Sequence, residues 1–179
     1  IKIVVLEKLH NKFHVLASVH SPSEGVSKGQ VVDIKKCVSS VRAALRRVND
    51  MLGIRVIRVI AVVPTTGCHL DIAVGSIEVE DSSYITGGDV SRVLKDALVG
   101  RIDEEHELVT AVPISFTVDE QENIQDPKGM SGAILETKVV IATVPKEPLY
   151  RILEVLKLSG LEAIDVCFTS TGDYYAVRN

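Results

Sequence analysis

Aromatic side chains are scarce in this chain. They make up 4% of its 179 residues, and tryptophan is missing altogether. Any core must therefore be aliphatic, built from Val, Ile, Leu and Ala. Cysteine is scarce too: Cys37, Cys68 and Cys167 are odd in number and widely spaced. No Cys-x-x-Cys occurs, which excludes a zinc-ribbon site and a disulfide framework. Three free thiols fit a reducing cytoplasm. No apolar run reaches the roughly 18 residues of a membrane span, and no signal peptide opens the chain. Positive charge is not in excess. The net charge is -4, which argues against a nucleic-acid binder. The one basic cluster, Arg42, Arg46 and Arg47, reads as a solvated helix face. The motifs of common nucleotide and calcium sites are missing as well: there is no P-loop, no Gly-x-Gly-x-x-Gly and no EF-hand spacing.

What is present is an aliphatic α/β pattern, with 46% hydrophobic residues. "IKIVVLEKL" and "KFHVLASVH" are β-branched runs that flank His10-Asn11, which predicts two strands and a hairpin turn. A chain that starts inside a strand implies residues before Ile1. "SPSEGVSKGQ" is a loop punctuated by Pro22, Gly25 and Gly29. Asp33 then caps a helix. Ile34, Cys37, Val38, Val41, Leu45, Val48 and Leu52 recur at helical spacing, and Gly53 ends the helix. Cys37 lies on that apolar stripe and reads as a buried, inert thiol. "IRVIRVIAVVP" is apolar from Val56 almost throughout, the pattern of a strand covered on both faces.

The character changes after Pro64. "TTGCHLDIAVGSIEVED" reads as short strands with glycine breaks. "ITGGDVSRVLKDALVG" is a helix whose Thr86 and Asp89 form a capping box. "LVTAVPISFTVD" is a strand that Pro113 confines to an edge or a bulge. Asp126-Pro127-Lys128-Gly129 is turn chemistry, and the long strand "GAILETKVVIATV" follows it as a hairpin. "KEPLYRILEVLKLSG" is a third helix, with Leu149, Ile152, Leu153 and Leu156 inward and Gly160 at its end. "LEAIDVCFTS" is a further strand, and "TGDYYAVRN" begins a helix.

Little of this is chemically active. Cys68 and His69 are adjacent on a strand, so their side chains point to opposite faces and cannot share a proton. His10, His14 and His20 lack carboxylates beside them and read as surface histidines. Glu104, Glu105 and His106 form a solvated charge run. No catalytic and no metal-ligating set is expected.

The order of blocks carries more information. Ser23, Gly25, Gly29 and Asp33 form a Ser-x-Gly-x-x-x-Gly-x-x-x-Asp run. "TTGCHL" and "GGDVSRVLKDAL" follow it. Then come Val112-Pro113-Ile114-Ser115-Phe116-Thr117-Val118-Asp119, Ile124-Gln125-Asp126-Pro127-Lys128-Gly129-Met130-Ser131-Gly132 and Leu135-Glu136. This succession resembles the bacterial cell-division family FtsA across essentially the whole chain. The block from Asp126 to Met130 is its most specific part. Two places depart from the family: "PTTGC" stands in for its usual Leu-Ser-Gly context, and "FTSTGDYYAV" lacks its Pro-Leu-Ala run.

The resemblance implies an α/β fold. Residues 1–64 and 143–179 would form part of an actin/Hsp70-like (ribonuclease H-like) lobe. Residues 65–142 would form an inserted strand-helix-strand-strand α+β subdomain. The family uses that insert to self-associate into actin-like filaments and to contact later division proteins, which points to Asp126, Met130 and Ile134 as interaction residues. The family binds ATP and Mg between two lobes, and its phosphate loop would lie just before Ile1. Lys2 is the one residue here that would reach the phosphates, and this stretch alone is expected to bind no nucleotide and to catalyse nothing. The FtsZ-binding region and the membrane-binding amphipathic helix of the family fall outside the chain, and the whole protein would sit on the inner face of the cell membrane at the division site. The alternative is PilM, the actin-like protein of type IV pilus assembly. A sugar-kinase or Hsp70-type enzyme is a third reading, and the Asp126–Met130 block favours the first.

Overall fold

In the computed structural model, which describes residues 1–171, β1 (Lys2–Leu9) and β2 (Lys12–His20) pair antiparallel. Their turn is His10-Asn11, with φ of 45° and 64°. Two left-handed residues give a turn whose twist matches that of the strands it joins. A short ladder follows, between β3 (Val26–Ser27) and β4 (Gln30–Val31), inside the segment read as loop. Helix α1 (Ile34–Leu52) begins where the Asp33 carboxylate accepts the Lys36 N–H at 3.0 Å. It ends at Gly53, which is left-handed with φ 65° and donates to the Asn49 carbonyl. Of the stripe the spacing predicts, Cys37, Val38, Val41, Leu45 and Val48 are buried, Ile34 and Leu52 are half-buried at its ends, and Ala44 is buried in addition.

Two clusters form the core of this part. Ala44 and Val48 pack with Val19 of β2. Val41 and Leu45 pack with Val155 and Leu161. Val155 lies on α3 (Lys146–Leu158), which Gly160 follows with φ 87°. β5 (Arg58–Val63) pairs parallel with β10 (Glu162–Phe168). Here the structure corrects the reading from sequence. Among the described residues β5 is covered on one face: Ala61 and Val63 are buried, whereas Ile60 and Val62 stay exposed. An unbroken apolar run marks two apolar faces, but it does not supply a neighbour for each. The helix start expected over 171–179 lies, but for Thr171, outside the described residues.

The second part holds a four-stranded antiparallel sheet in the order β6-β9-β7-β8. The strands are β6 (His69–Glu78), β7 (His106–Val118), β8 (Gln121–Ile124) and β9 (Ile134–Pro145). Helix α2 (Gly87–Leu98) covers one face, and its capping box is formed as expected. The chain divides into two units, Ile1–Thr66 with Glu147–Asn179, and Gly67–Lys146; the span drawn from the sequence is 65–142.

Three expectations change in this unit. The short strands around two glycines are one ten-residue strand, β6. Gly75 sits inside it because α2 lies on top: a Cβ there would come within 2.4 Å of the Val93 carbonyl oxygen and 2.6 Å of the Ala97 nitrogen. Glycine in a strand interior here marks close backbone approach, not a break. Pro113 does sit at a register shift in β7, as its missing N–H requires. Finally, the stretch from Asn123 to Val144 is not a hairpin. β8 pairs with β7, and β7 lies between β8 and β9.

Candidate interaction surface

The segment that joins β8 to β9 is held from several sides. Pro127 is fully buried. Ile85 donates its N–H to the Met130 carbonyl at 2.7 Å and accepts the Gly129 N–H at 2.9 Å. Gly132 donates to the Ser82 carbonyl, the Ser131 hydroxyl donates to the Ser83 carbonyl, and Val79 donates to the Ala133 carbonyl. Asp119, left-handed with φ 52°, accepts the N–H groups of both Ala133 and Ile134 at 2.9 Å through one carboxylate oxygen. Gly132 is needed there, since a Cβ would fall 2.2 Å from a Val118 methyl. The Asp-Pro-x-Gly-Met-x-Gly block thus stitches the end of the sheet to the segment before α2.

This arrangement separates the three residues singled out from the sequence. Asp126 is exposed and pairs with the Lys128 ammonium at 3.2 Å. Met130 is half-buried and packs on the core of Val79, Ile85, Val93, Phe116, Val118 and Leu135. Ile134 is exposed at the start of β9. β9 is an internal strand, bonded on both edges, so its backbone is not free to dock a partner strand. The outer edge of β6 is blunted as well. The Ile72 N–H bonds the Asp71 carboxylate at 2.8 Å, and the Ser76 N–H bonds the Asp96 carboxylate at 2.9 Å. Carboxylates on edge amides oppose strand addition.

What the unit does offer is a sheet face. Alternation sends Ala73 and Gly75 of β6, with Leu135, Thr137, Val139 and Ile141 of β9, toward α2, and all six are buried. The opposite face carries Leu70, Ile72 and Val74, exposed by 72%, 57% and 55%. Ile72, Val140 and Val112 stand in one cross-strand row there. The signal was present in "HLDIAVGSIE": both parities of that strand are apolar, and only the small residues fit beneath a helix.

Charged contacts elsewhere in the unit are structural. The Asp89 carboxylate receives the Thr86 hydroxyl at 2.6 Å and the Arg92 guanidinium at 2.7 Å. These bonds, the hydroxyl's first, hold it down to about 2. The His106 ring meets Asp103 at 2.7 Å and stands edge-on to His69 at 5.0 Å. His106 therefore belongs to the start of β7, and is only partly in the solvated run expected of it. Among the described residues no group of three or more His, Cys, Asp and Glu could hold a metal ion. No helix of the described residues is long and apolar enough to cross a membrane.

Lys2 is exposed on β1, opposite His20. Phosphate cradles are built from successive backbone N–H groups in a concave turn. Lys2 itself lies in a pleated strand, not in a turn of that kind.

The family model described as "SHS2 domain inserted in FTSA" matches residues 68–143. The chain is 33% identical over 170 residues to the cell division protein FtsA of Enterococcus hirae, covering 94% of this chain and 38% of the relative. It is 31% identical over 169 residues to FtsA of Bacillus subtilis, covering 93% and 38%. FtsA of Escherichia coli K12 is 25% identical over 156 residues, covering 87% and 37%. The chain therefore spans less than two-fifths of the length of these relatives. A chain of a PilM-PilN type IV pilus biogenesis complex aligns with a TM-score of 0.60 at 15% identity, covering 97% of this chain and 46% of that one. At that identity the likeness speaks for the fold alone, an actin-like lobe with an inserted subdomain.

Proposed function

The chain belongs to the FtsA cell-division family, and from that premise we propose that it is part of an ATP-binding scaffold that self-associates, recruits later division proteins and anchors the FtsZ ring to the cytoplasmic membrane. The observation that carries the reading is the inserted SHS2 domain with a sheet face left bare opposite its helix. An exposed apolar face of this kind is a surface for another protein. ATP and Mg would be held by parts of the longer protein, with Lys2 contributing one positive charge. FtsZ and the membrane would likewise be met through segments outside residues 1–179. The protein would sit peripherally on the inner face of the membrane at the division site, with weak ATPase activity or none.

The test is co-pelleting of the full-length protein with FtsZ filaments on lipid vesicles in the presence of ATP. Recruitment of FtsZ to the vesicles supports the scaffold. A folded, ATP-bound protein that leaves FtsZ in solution overturns it and favours the PilM-type alternative, whose supporting observation is the shared fold. Within the insert, Ile134→Asp is expected to weaken self-association while ATP affinity stays unchanged, measured by sedimentation and nucleotide titration. Met130→Asp is the control for folding: it places a carboxylate against the core and lowers both together.

A further inference from the structure

Helix α1 turns a basic face away from its buried stripe. Arg42, Arg46 and Arg47, a solvated face by sequence, are joined there by Lys35 and Lys36, and all five are exposed. At about 100° per residue, Lys35, Arg42 and Arg46 form one row and Lys36 and Arg47 a second, over about 18 Å of helix. Ser39 and Ala43 run between the rows. Arg42 and Arg47 give one bond each to the carbonyls of Leu158 and His20. None of the five is ion-paired among the described residues. Two acids stand near: Asp50 at the C-terminal end of the face, and Glu24, whose N–H bonds the Ser40 hydroxyl at 3.0 Å.

This charge does not serve the helix that carries it. Lys35 and Lys36 occupy the first turn, where the dipole disfavours cations and no acid offsets them. The last turn, where cations would help, holds none. Arg42 and Arg46 are like charges four residues apart, which also opposes a helix. Local rules are broken where a surface serves something beyond the fold. Exposed apolar side chains lie at both ends of α1: Val32 before the cap, and Met51 and Ile54 about Gly53. Clustered bases edged by apolar groups suit a bilayer interface, where headgroups take the charge and the acyl boundary takes the apolar atoms. A nucleic-acid backbone has the charge but no apolar layer to receive Val32, Met51 and Ile54.

We propose that the outer face of α1 binds the surface of an anionic lipid bilayer. The inference rests on the reading that the whole protein sits on the membrane. It adds a contact within residues 1–179 to the anchor that lies outside them. The occupant follows from charge complementarity. Phosphate-bearing headgroups carry the opposite sign, and roughly four to eight clustered Lys and Arg are the number that recruits them. Five cations along one helix meet several headgroups at once, and a guanidinium can hold two oxygens of one phosphate.

The experiment follows full-length protein with ATP as it co-sediments with vesicles, across a salt titration. One set is phosphatidylcholine alone, the other phosphatidylcholine with equimolar phosphatidylglycerol. Lys35→Gln with Arg46→Gln removes two exposed charges and leaves the core untouched. This pair is expected to weaken binding to the anionic vesicles about tenfold or more, most at low salt, and to leave neutral vesicles unaffected. Lys8→Gln with Lys12→Gln makes the same change in net charge at the tip of the β1–β2 hairpin, away from the residues that pack on α1. It is expected to weaken binding far less. The thermal midpoint of the α1 variant should hold or rise, because a cation leaves the first turn. A midpoint that falls together with binding shows a structural role and overturns the proposal. Unchanged anionic binding, or equal losses in the two variants, overturns it and leaves the membrane reading standing. Loss on both kinds of vesicle places the effect on the anchor and also overturns it. Intact vesicle binding with loss of FtsZ recruitment would reassign the face to an acidic protein segment. A wild-type protein that binds neither vesicle would remove the membrane reading itself.

Discussion

Asp89 shows how one side chain can tie several groups together. Its carboxylate accepts the Thr86 N–H at 2.8 Å and hydroxyl at 2.6 Å, while the Arg92 guanidinium holds its other oxygen at 2.7 Å. Thr86→Ala removes the cap and is expected to cost about 1 kcal/mol in denaturant unfolding. The depressed carboxyl also sets a pH dependence. Its ordinary value is 3.8 and its folded value about 2, so the unfolded chain binds the proton more tightly. The stability it contributes is complete above 3.8 and is lost as the pH falls from there toward 2. Asp89→Asn should flatten that part of the acid-unfolding curve relative to the parent. The capping pattern was legible in "TGGD", because its geometry is local. The Arg92 contact was not read from the sequence, although it lies one turn further along the helix.

The sheet of β6 to β9 makes its argument as an element. Strand alternation divides it into a face that is buried under α2 and a face that is exposed along Leu70, Ile72 and Val74, and the division predicts different costs for similar residues. Leu135→Ala, fully buried in the core with Ile85, Val93 and Phe116, should lose about 2–5 kcal/mol in chemical denaturation. Ile72→Ser on the bare face should stay within roughly 0.5 kcal/mol. Equal losses would show that the second face is covered in solution. Thr137 faces α2 from the central strand without an orphaned hydroxyl, because it donates to the Ser115 carbonyl at 3.2 Å. The strands themselves could be read from β-branched runs and turn residues. Their neighbours could not: β8 and β9 are consecutive in the chain, yet β7 separates them.

At the scale of the molecule, the ends of the inserted unit meet. His69 stands opposite Thr143 in the ladder of β6 and β9, and a Cβ on Gly67 would lie 3.6 Å from the Pro145 ring. A unit whose termini are adjacent, with its own core, can be cut out without stretching either piece. Residues 67–146 expressed alone should therefore unfold cooperatively, followed by circular dichroism in urea. A broad, non-cooperative loss of signal would mean that the unit depends on the rest of the chain.

The sequence by itself determined the periodicity of the helices, their caps at Asp33, Gly53 and Thr86, the hairpin turn at His10-Asn11 and the likeness to FtsA. All of these act within a few residues, or depend on the order of motifs along the chain. Only the tertiary structure decided which strands are neighbours, that Gly75 marks the seat of a helix, that β5 is covered on one face, and that Met130 is core while Ile134 is surface. Those outcomes depend on groups far apart in the chain, whose contact energy has no counterpart in local propensity until the sheet and its helix are assembled.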